Sequence, residues 1–274
     1  MNRLVIPLLL ISLSGCHQTQ YYQRSFPLMG TYVKIKVEDS AQSKKAVKKT
    51  IERMKELELK FNRFDPKSEV SNINIGKKII TSEDFNNVMN LSIYLNKITK
   101  GAFNVKFGRG RTVLDFGAVA KGYIVDEAVK TLKKYGIKSA IVDAGGDMFC
   151  LGENNGMPWN VGIRDPKKKK GIAARLKLRN KALATSGEYE TDYRHIVDPR
   201  TDGTVKSNVL SATVISDNAA LSDGLATAFF ILKSEESIAL AEALEGVDCV
   251  IIVKDNEEIK FFISSDIMES VEIM

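Results

Sequence analysis

The chain has 274 residues, 44% of them hydrophobic and 27% charged, with a formal charge of +6. That apolar content suffices for one large domain or two small ones with a real core, and it excludes global disorder. The positive balance favours anionic ligands or anionic lipid, but no basic helix with interleaved aromatics marks a nucleic-acid binder.

The first residues read as a targeting segment. Arg3 supplies a short positive region, and Leu4 to Leu13 form an apolar run too short to span a bilayer as a mature helix. Leu13-Ser14-Gly15-Cys16 matches the bacterial lipoprotein cleavage box. Residues 1–15 are therefore expected as a signal peptide, Cys16 as the acylated first residue, and residues 16–25 as a polar tether. The protein is expected on the bacterial cell membrane, facing the periplasm or extracytoplasmic side. An ordinary secretory signal with a chance cysteine is the alternative. Loss of residues 1–15 takes one Arg and no acid, leaving +5.

The folded body is expected over residues 26–264, with a tail at 265–274. Phe26 to Val37 reads as a strand or hairpin interrupted at Met29-Gly30-Thr31. Ala41 to Phe61 reads as a helix, because Val47, Ile51, Met54, Leu57 and Phe61 recur at helical spacing. Asn62 to Ile73 is a polar loop containing proline. A second helix starts at Thr81 or Ser82, both good caps, with Phe85, Val88, Met89 and Leu95 on one face. Val113-Leu114 reads as a short strand that leads through a small-residue turn into a helix. That helix buries Ile124, Ala128, Leu132 and Tyr135 and stops at Gly136.

Strand-like runs follow at Ser139–Asp143, Trp159–Arg164, Ile172–Leu178, Ala182–Thr185, Tyr193–Val197 and Leu210–Ile215. The dense basic run Lys167 to Lys170, between Asp165-Pro166 and Gly171, reads as a solvated loop. Asp217 is the expected cap of a helix over Ala219 to Leu232, and Ser234 of another ending at Leu244. Val247–Val253 and Ile259–Ile263 close the chain as strands. Strands grouped together in a mixed order give an α+β fold with mixed, largely antiparallel sheets and packed helices, rather than a regular alternating sheet.

Several residues could carry chemistry. The stretch Asp115 to Tyr123 places a carboxylate at a strand end, then a small-residue turn, then a helix that opens with Lys121. Unpaired N–H groups, the helix dipole and a lysine suit a phosphate or diphosphate. A tight strand-to-helix turn is the plainer reading. Asp223 and Thr227 lie four apart on a predicted helix and share a face. They are hard oxygen donors suitable for magnesium, with a backbone carbonyl such as that of Ala118 as a further donor, or they are an ordinary buried polar pair.

His17 lies in the tether, so His195 is the single imidazole of the folded body. It is a general-base candidate or a hydrogen-bonded core histidine. Thr185-Ser186-Gly187 and Asp143-Ala144-Gly145-Gly146-Asp147 end strands, and the paired glycines permit close approach of a flat ligand or simply a bulge. Trp159 reads as core rather than as a cofactor clamp. Cys150 and Cys249 read as two buried thiols, with one disulfide as the alternative. No cysteine–histidine cluster suggests zinc or iron–sulfur chemistry.

Taken together, the motifs resemble the ApbE family of FAD:protein FMN transferases. The resemblance runs through Met29-Gly30-Thr31, Phe64-Asp65-Pro66-Lys67-Ser68-Glu69, Gly101-Ala102-Phe103-Asn104 and Asp115–Tyr123. It continues through Ala144–Asp147, Trp159–Pro166, Thr185–Tyr189, His195–Pro199 and Ser222–Thr227. It implies an enzyme that binds FAD with Mg2+, releases AMP and joins FMN to a threonine or serine hydroxyl of an acceptor protein. The acceptors it implies are subunits of membrane redox complexes.

By the same resemblance Met29, Phe64, Ala102, Phe103, Asn104, Asp115, Lys121 and Val197 fall at FAD-contact positions. The Ala118 carbonyl, Asp223 and Thr227 fall at the metal position, and His195 at the catalytic one. The chain departs from the family pattern at Phe64, where tyrosine is usual, and at Asn104, where aspartate is usual. It also has a shorter segment before His195 and one inserted residue in Arg200–Gly203. Two other activities fit the same residues: an FAD pyrophosphatase giving FMN and AMP, and a non-catalytic lipid-anchored flavin-binding or nutrient-binding protein.

Overall fold

The computed structural model describes residues 20–107, 113–168, 171–187, 197–201, 203–205, 207–256 and 258–274. Cys16 and His195 lie outside the described residues.

The chain begins with a hairpin, β1 (Tyr21–Leu28) and β2 (Thr31–Glu38). Its two-residue turn has positive φ at both Met29 (54°) and Gly30 (69°), as a tight turn between right-twisted strands requires. Strand β1 begins inside the segment expected as a tether, because Tyr21 to Ser25 pair with Lys34 to Glu38. Helix α1 (Ser43–Phe61) buries Ala46, Val47, Met54, Leu57 and Phe61 on one face. The expected polar loop then contains a short helix, α2 (Glu69–Asn74), which Ser68 caps by accepting the Ser71 N–H. Helix α3 (Glu83–Ile98) is capped by Ser82, as expected.

Strands β3 (Lys106–Phe107) and β4 (Val113–Leu114) form a small ladder ahead of α4 (Ala120–Lys134). Strands β5 (Ala140–Ala144) and β6 (Met148–Leu151) make a second hairpin, turned at Gly145-Gly146. Next come β7 (Trp159–Arg164), β8 (Ile172–Leu178) and β9 (Lys181–Gly187). The tiny pair β10 (Val197–Asp198) and β11 (Gly203–Thr204) precedes β12 (Val209–Ser216).

Helices α5 (Ala219–Ile231) and α6 (Ser234–Glu242) lead to β13 (Asp248–Asp255), β14 (Glu258–Ile263) and β15 (Glu272–Ile273). Two expected caps are different residues. Asn218, not Asp217, accepts the Leu221 N–H at 2.7 Å, while Asp217 pairs with Lys181 at 2.7 Å. Lys233, not Ser234, occupies the cap position of α6. Part of the segment expected as a tail is structured, since β15 pairs with Ala174 and Arg175 of β8.

The architecture has three layers. An eight-stranded antiparallel sheet, in the order β1-β2-β5-β6-β9-β12-β13-β14, forms the middle. Its central strands β12 and β13 are buried on both faces, as β13 shows by strict alternation. Cys249, Ile251 and Val253 join the helical core, and Val250 and Ile252 join the core under the small sheet β15-β8-β7. Trp159 sits in that second core and donates its indole N–H to the Leu151 carbonyl at 3.0 Å, so it is a packing residue. Cys150 and Cys249 are buried free thiols, which burial pushes up to about 12. They lie on strands three positions apart, roughly 14 Å at ordinary strand spacing, well beyond disulfide reach.

Two close approaches position the site. A Cβ on Gly122 of α4 would meet the Ala219 carbonyl oxygen at 2.2 Å, so this glycine lets α4 and α5 cross in backbone contact. A Cβ on Gly145 would meet the Thr31 hydroxyl at 2.3 Å, which brings the two hairpin tips together. Since Val33 pairs with Ala144, and Met148 with Leu183, residues Met29, Asp147 and Ser186 gather at one end of the sheet.

A charged network ties α1, α3 and α4 together. Asp84 accepts from Arg53, Lys60 and the Tyr123 hydroxyl, and Arg53 also reaches Glu127 at 3.0 Å. Burial opposes the Asp84 charge, but these three donors outweigh it and hold the carboxyl below the usual aspartate range. Its stabilising contribution is present above the unfolded value near 4 and is lost as pH falls through the depressed folded value. Arg53 and Lys60 keep about a quarter of their side chains exposed, which screens the effect. Asp84→Asn should therefore cost about 2 kcal/mol at pH 7, with the difference from wild type shrinking below about pH 4. Urea unfolding at several pH values checks both statements.

Candidate active site

Helix α5 is apolar on nearly all sides and lies at the centre of the core, so a carboxylate within it requires an explanation. Asp223 is 4% exposed. One carboxylate oxygen accepts the Gly122 N–H at 3.1 Å, and the other lies 3.7 Å from the Lys121 ammonium. Lys121 also forms an ion pair with Asp147, which follows the Gly-Gly turn of the β5–β6 hairpin and is 2% exposed. One lysine thus sits between two buried acids brought in from a strand hairpin and a helix.

The electrostatics follow from that ratio. Burial disfavours the lysine charge, but Asp223 and Asp147 outweigh it and hold the ammonium well above its ordinary range. Burial and the repulsion of Asp147 push Asp223 up to about 7, against Lys121 and the Gly122 N–H, which pull it down. Asp147 is also raised, chiefly by burial. Two carboxylates sharing one ammonium leave an excess of negative charge in a dry place. Thr227 lies one turn beyond Asp223, and its hydroxyl is 3.4 Å from that of Ser186 at the end of β9.

Beside this cluster opens a cleft of about 370 Å³. Met29, Phe64, Asp115 and Lys121, four residues picked out from the sequence, line it together. The Met29 N–H is held by Glu58 at 2.6 Å. The Phe64 ring is 78% exposed, and Asp115 accepts the Gly117 N–H at 2.9 Å. Arg63 bridges these walls, with its Nε 2.9 Å from Asp115 and its guanidinium 4.1 Å above the Phe64 ring.

Other sequence-derived residues do not line this cleft. Ala102 and Phe103 are buried in the main core, where the Phe103 N–H bonds the Thr99 hydroxyl and its carbonyl accepts from Asn96. Asn104 accepts the Lys106 N–H. Val197 is half-exposed on the β10–β11 ladder, next to Arg200, whose side chain packs beside Gly101. Ala118 is half-buried in the turn before α4. The helix opening read as a phosphate cradle is partly filled by the protein itself, because Asp223 takes the Gly122 N–H and Phe116 the Ala120 N–H.

Sequence reasoning missed Asp147, Arg63 and Glu58 as site residues. For Asp147 the signal was present: an acid directly after a Gly-Gly turn, at the head of the apolar run Met148 to Leu151. Glu58 and Arg63 carried no such signal, since one belongs to a charged helix face and the other to a polar loop.

Residues 29–111 and 105–251 match the ApbE family. The chain is 27% identical to an FAD:protein FMN transferase of Vibrio cholerae, over 96% of this chain and 97% of that protein. It is 35% identical to one of Treponema pallidum over 55% of this chain, and that match spans 46% of the Treponema protein, less than half its length. The fold superposes on the solved structure of the flavin transferase ApbE from Vibrio cholerae with a TM-score of 0.83 and 25% identity. That alignment covers 92% of this chain and 99% of the other.

Lys121→Met should destabilise the protein by about 3–5 kcal/mol, because it leaves two buried acids without their ammonium. Adding Asp147→Asn should recover part of that loss. Denaturant unfolding of the single and double variants measures both effects.

Proposed function

This chain belongs to the ApbE family, and we propose that it transfers FMN from FAD to a serine or threonine hydroxyl of an acceptor protein, releasing AMP. The observation that carries the reading is the junction of an open, aromatic-walled cleft with a buried carboxylate cluster at Lys121. A transferase needs both, one to hold a dinucleotide and the other to manage the charge of its diphosphate.

The donor set fits magnesium. Asp223 and Thr227 are hard oxygens on one face of α5, and the two buried carboxylates carry more negative charge than Lys121 balances. Asp223, Thr227 and the Ala118 carbonyl would hold the ion, whose chemistry is to neutralise the diphosphate charge. The protein's own residues do the rest. Phe64 offers a free aromatic face for a base, and Met29 is fixed at the cleft wall by Glu58. Lys121 and Asp147 fix each other, so the acid–base character of the site is set before substrate arrives.

In the transfer step the acceptor oxygen forms a bond to the FMN-side phosphorus. The diphosphate bridge breaks, and AMP leaves with the bridging oxygen. The hydroxyl proton passes to His195, the histidine that the family resemblance assigns to this role. Among the described residues no helix is long and apolar enough to cross a membrane. The lipoprotein box supports anchoring through an acylated Cys16, on the extracytoplasmic side, where subunits of membrane redox complexes are the acceptors.

Incubation with FAD, magnesium and a candidate acceptor should add the mass of FMN to that acceptor, read by intact mass spectrometry. AMP and free FMN with an unmodified acceptor would instead identify a pyrophosphatase, and FAD recovered intact would identify a binding protein. His195→Ala should reduce transfer by more than about 100-fold and leave FAD affinity within about threefold, as removal of a general base predicts. Single-turnover kinetics and FAD titration separate the two effects.

A further inference from the structure

Among the described residues two cations line the cleft, Lys121 and Arg63. Lys121 is committed to Asp147 and Asp223, two buried acids that already exceed its charge. A nucleotide diphosphate entering the cleft finds no surplus side-chain charge at Lys121 itself. Resting on the flavin-nucleotide reading above, we propose that Arg63 is the phosphate-binding cation of the cleft: it exchanges its ion pair with Asp115 for a phosphate oxygen of a nucleotide whose base stacks on Phe64.

The position of Arg63 is fixed by the backbone around it. The Ser71 hydroxyl donates to the Arg63 carbonyl at 2.8 Å, and the Phe64 N–H bonds the Asn62 side chain at 3.0 Å. The guanidinium lies 4.1 Å from the Phe64 ring centre and 5.0 Å from that of Phe107. It covers one face of Phe64, and the residue remains 78% exposed, which leaves the other face for a base. The ion pair with Asp115 is closest at the Arg63 Nε, and among the described residues the two terminal nitrogens make no hydrogen bond. Those nitrogens form the planar fork that matches phosphate geometry.

Magnitudes favour the exchange. The Arg63 and Asp115 side chains are 31% and 37% exposed, and an ion pair so wetted is worth less than about fivefold in an equilibrium constant. A charged hydrogen bond from arginine to phosphate is worth about 10- to 100-fold. Asp115 is not stranded by the loss, since it keeps the Gly117 N–H at 2.9 Å and its access to water. Arginine is also suited to the double task, because its flat face stacks on Phe64 while its edge meets an anion, which lysine does only in part.

Calorimetric titration of the whole protein with ADP and with adenosine tests the assignment. The wild type should prefer ADP to adenosine. Arg63→Met should weaken ADP binding by about tenfold or more, leave adenosine within about twofold, and flatten the salt dependence of ADP binding. Arg63→Lys should retain part of the preference, and a melting temperature close to wild type confirms that either variant is folded. Equal losses for ADP and adenosine would reduce Arg63 to a prop for Phe64, and an unchanged ADP preference would remove it from the site. FAD transfer with either of those results overturns the Arg63 assignment alone, whereas a wild type that binds neither ADP nor FAD overturns the flavin-nucleotide reading with it.

Discussion

The ion cluster of Lys121, Asp147 and Asp223 is the constraint from which the site's geometry follows. It joins three elements that share no hydrogen-bonded ladder: the β5–β6 hairpin, the start of α4 and the middle of α5. Burying two carboxylates beside one ammonium is costly, and an apolar replacement of the same volume is commonly at least as stable. A fold that needed only packing here would have no use for them. What the cluster supplies is position: the Gly122 N–H, the Lys121 ammonium and the Asp147 carboxylate each fix Asp223 or one another. The crossing at Gly122 is the steric side of the same arrangement, because a methyl group there would drive α4 and α5 apart.

The cleft inherits its shape from this junction and from the Asp84 network. Asp84 holds α1 through Arg53 and Lys60, and α4 through Tyr123, so the end of α1 stands at a set distance from the start of α4. Phe61, Asn62, Arg63 and Phe64 follow directly from that end and make one wall, while Asp115, Gly117 and Lys121 make the other. Edge-to-face contacts of Phe61 with Phe116 and Tyr123 fill the space behind the walls. Fixed walls around an exposed aromatic ring suit a flat ligand that must be gripped without collapse of the cleft.

Much of this was legible from the residues themselves. The spacing of Val47, Ile51, Met54, Leu57 and Phe61 declared α1, Thr81 or Ser82 was the expected start of α3, and the interruption at Met29-Gly30-Thr31 in a strand or hairpin is a hairpin turn. Asp223 and Thr227 do share a helix face, and Trp159 is core. The α+β class and the antiparallel sheet follow from grouped strands with short connections. What escaped is non-local. The cap of α5 is Asn218 because Asp217 is drawn off to Lys181, a residue 36 positions away whose approach only the assembled sheet defines. The strand inside the expected tether and the pairing of β15 with β8 depend on partners distant in the chain.

The structural finding with the widest consequence concerns Lys121. A lysine at a helix opening suggests a free anion site when read locally, since both the dipole and the ammonium point to that use. In the folded chain the anion is internal: Asp223 takes the backbone donor, and two acids take the ammonium. The positive end of α4 therefore organises the protein's own carboxylates. Charge meant for a substrate must then stand at the rim, where an ion pair is weak enough to be traded. The Arg63–Asp115 pair has that character, because water screens it while the stacked rings keep the guanidinium in place. Buried charge that fixes geometry and exposed charge that meets the ligand are separate tasks, and here adjoining walls of one cleft divide them.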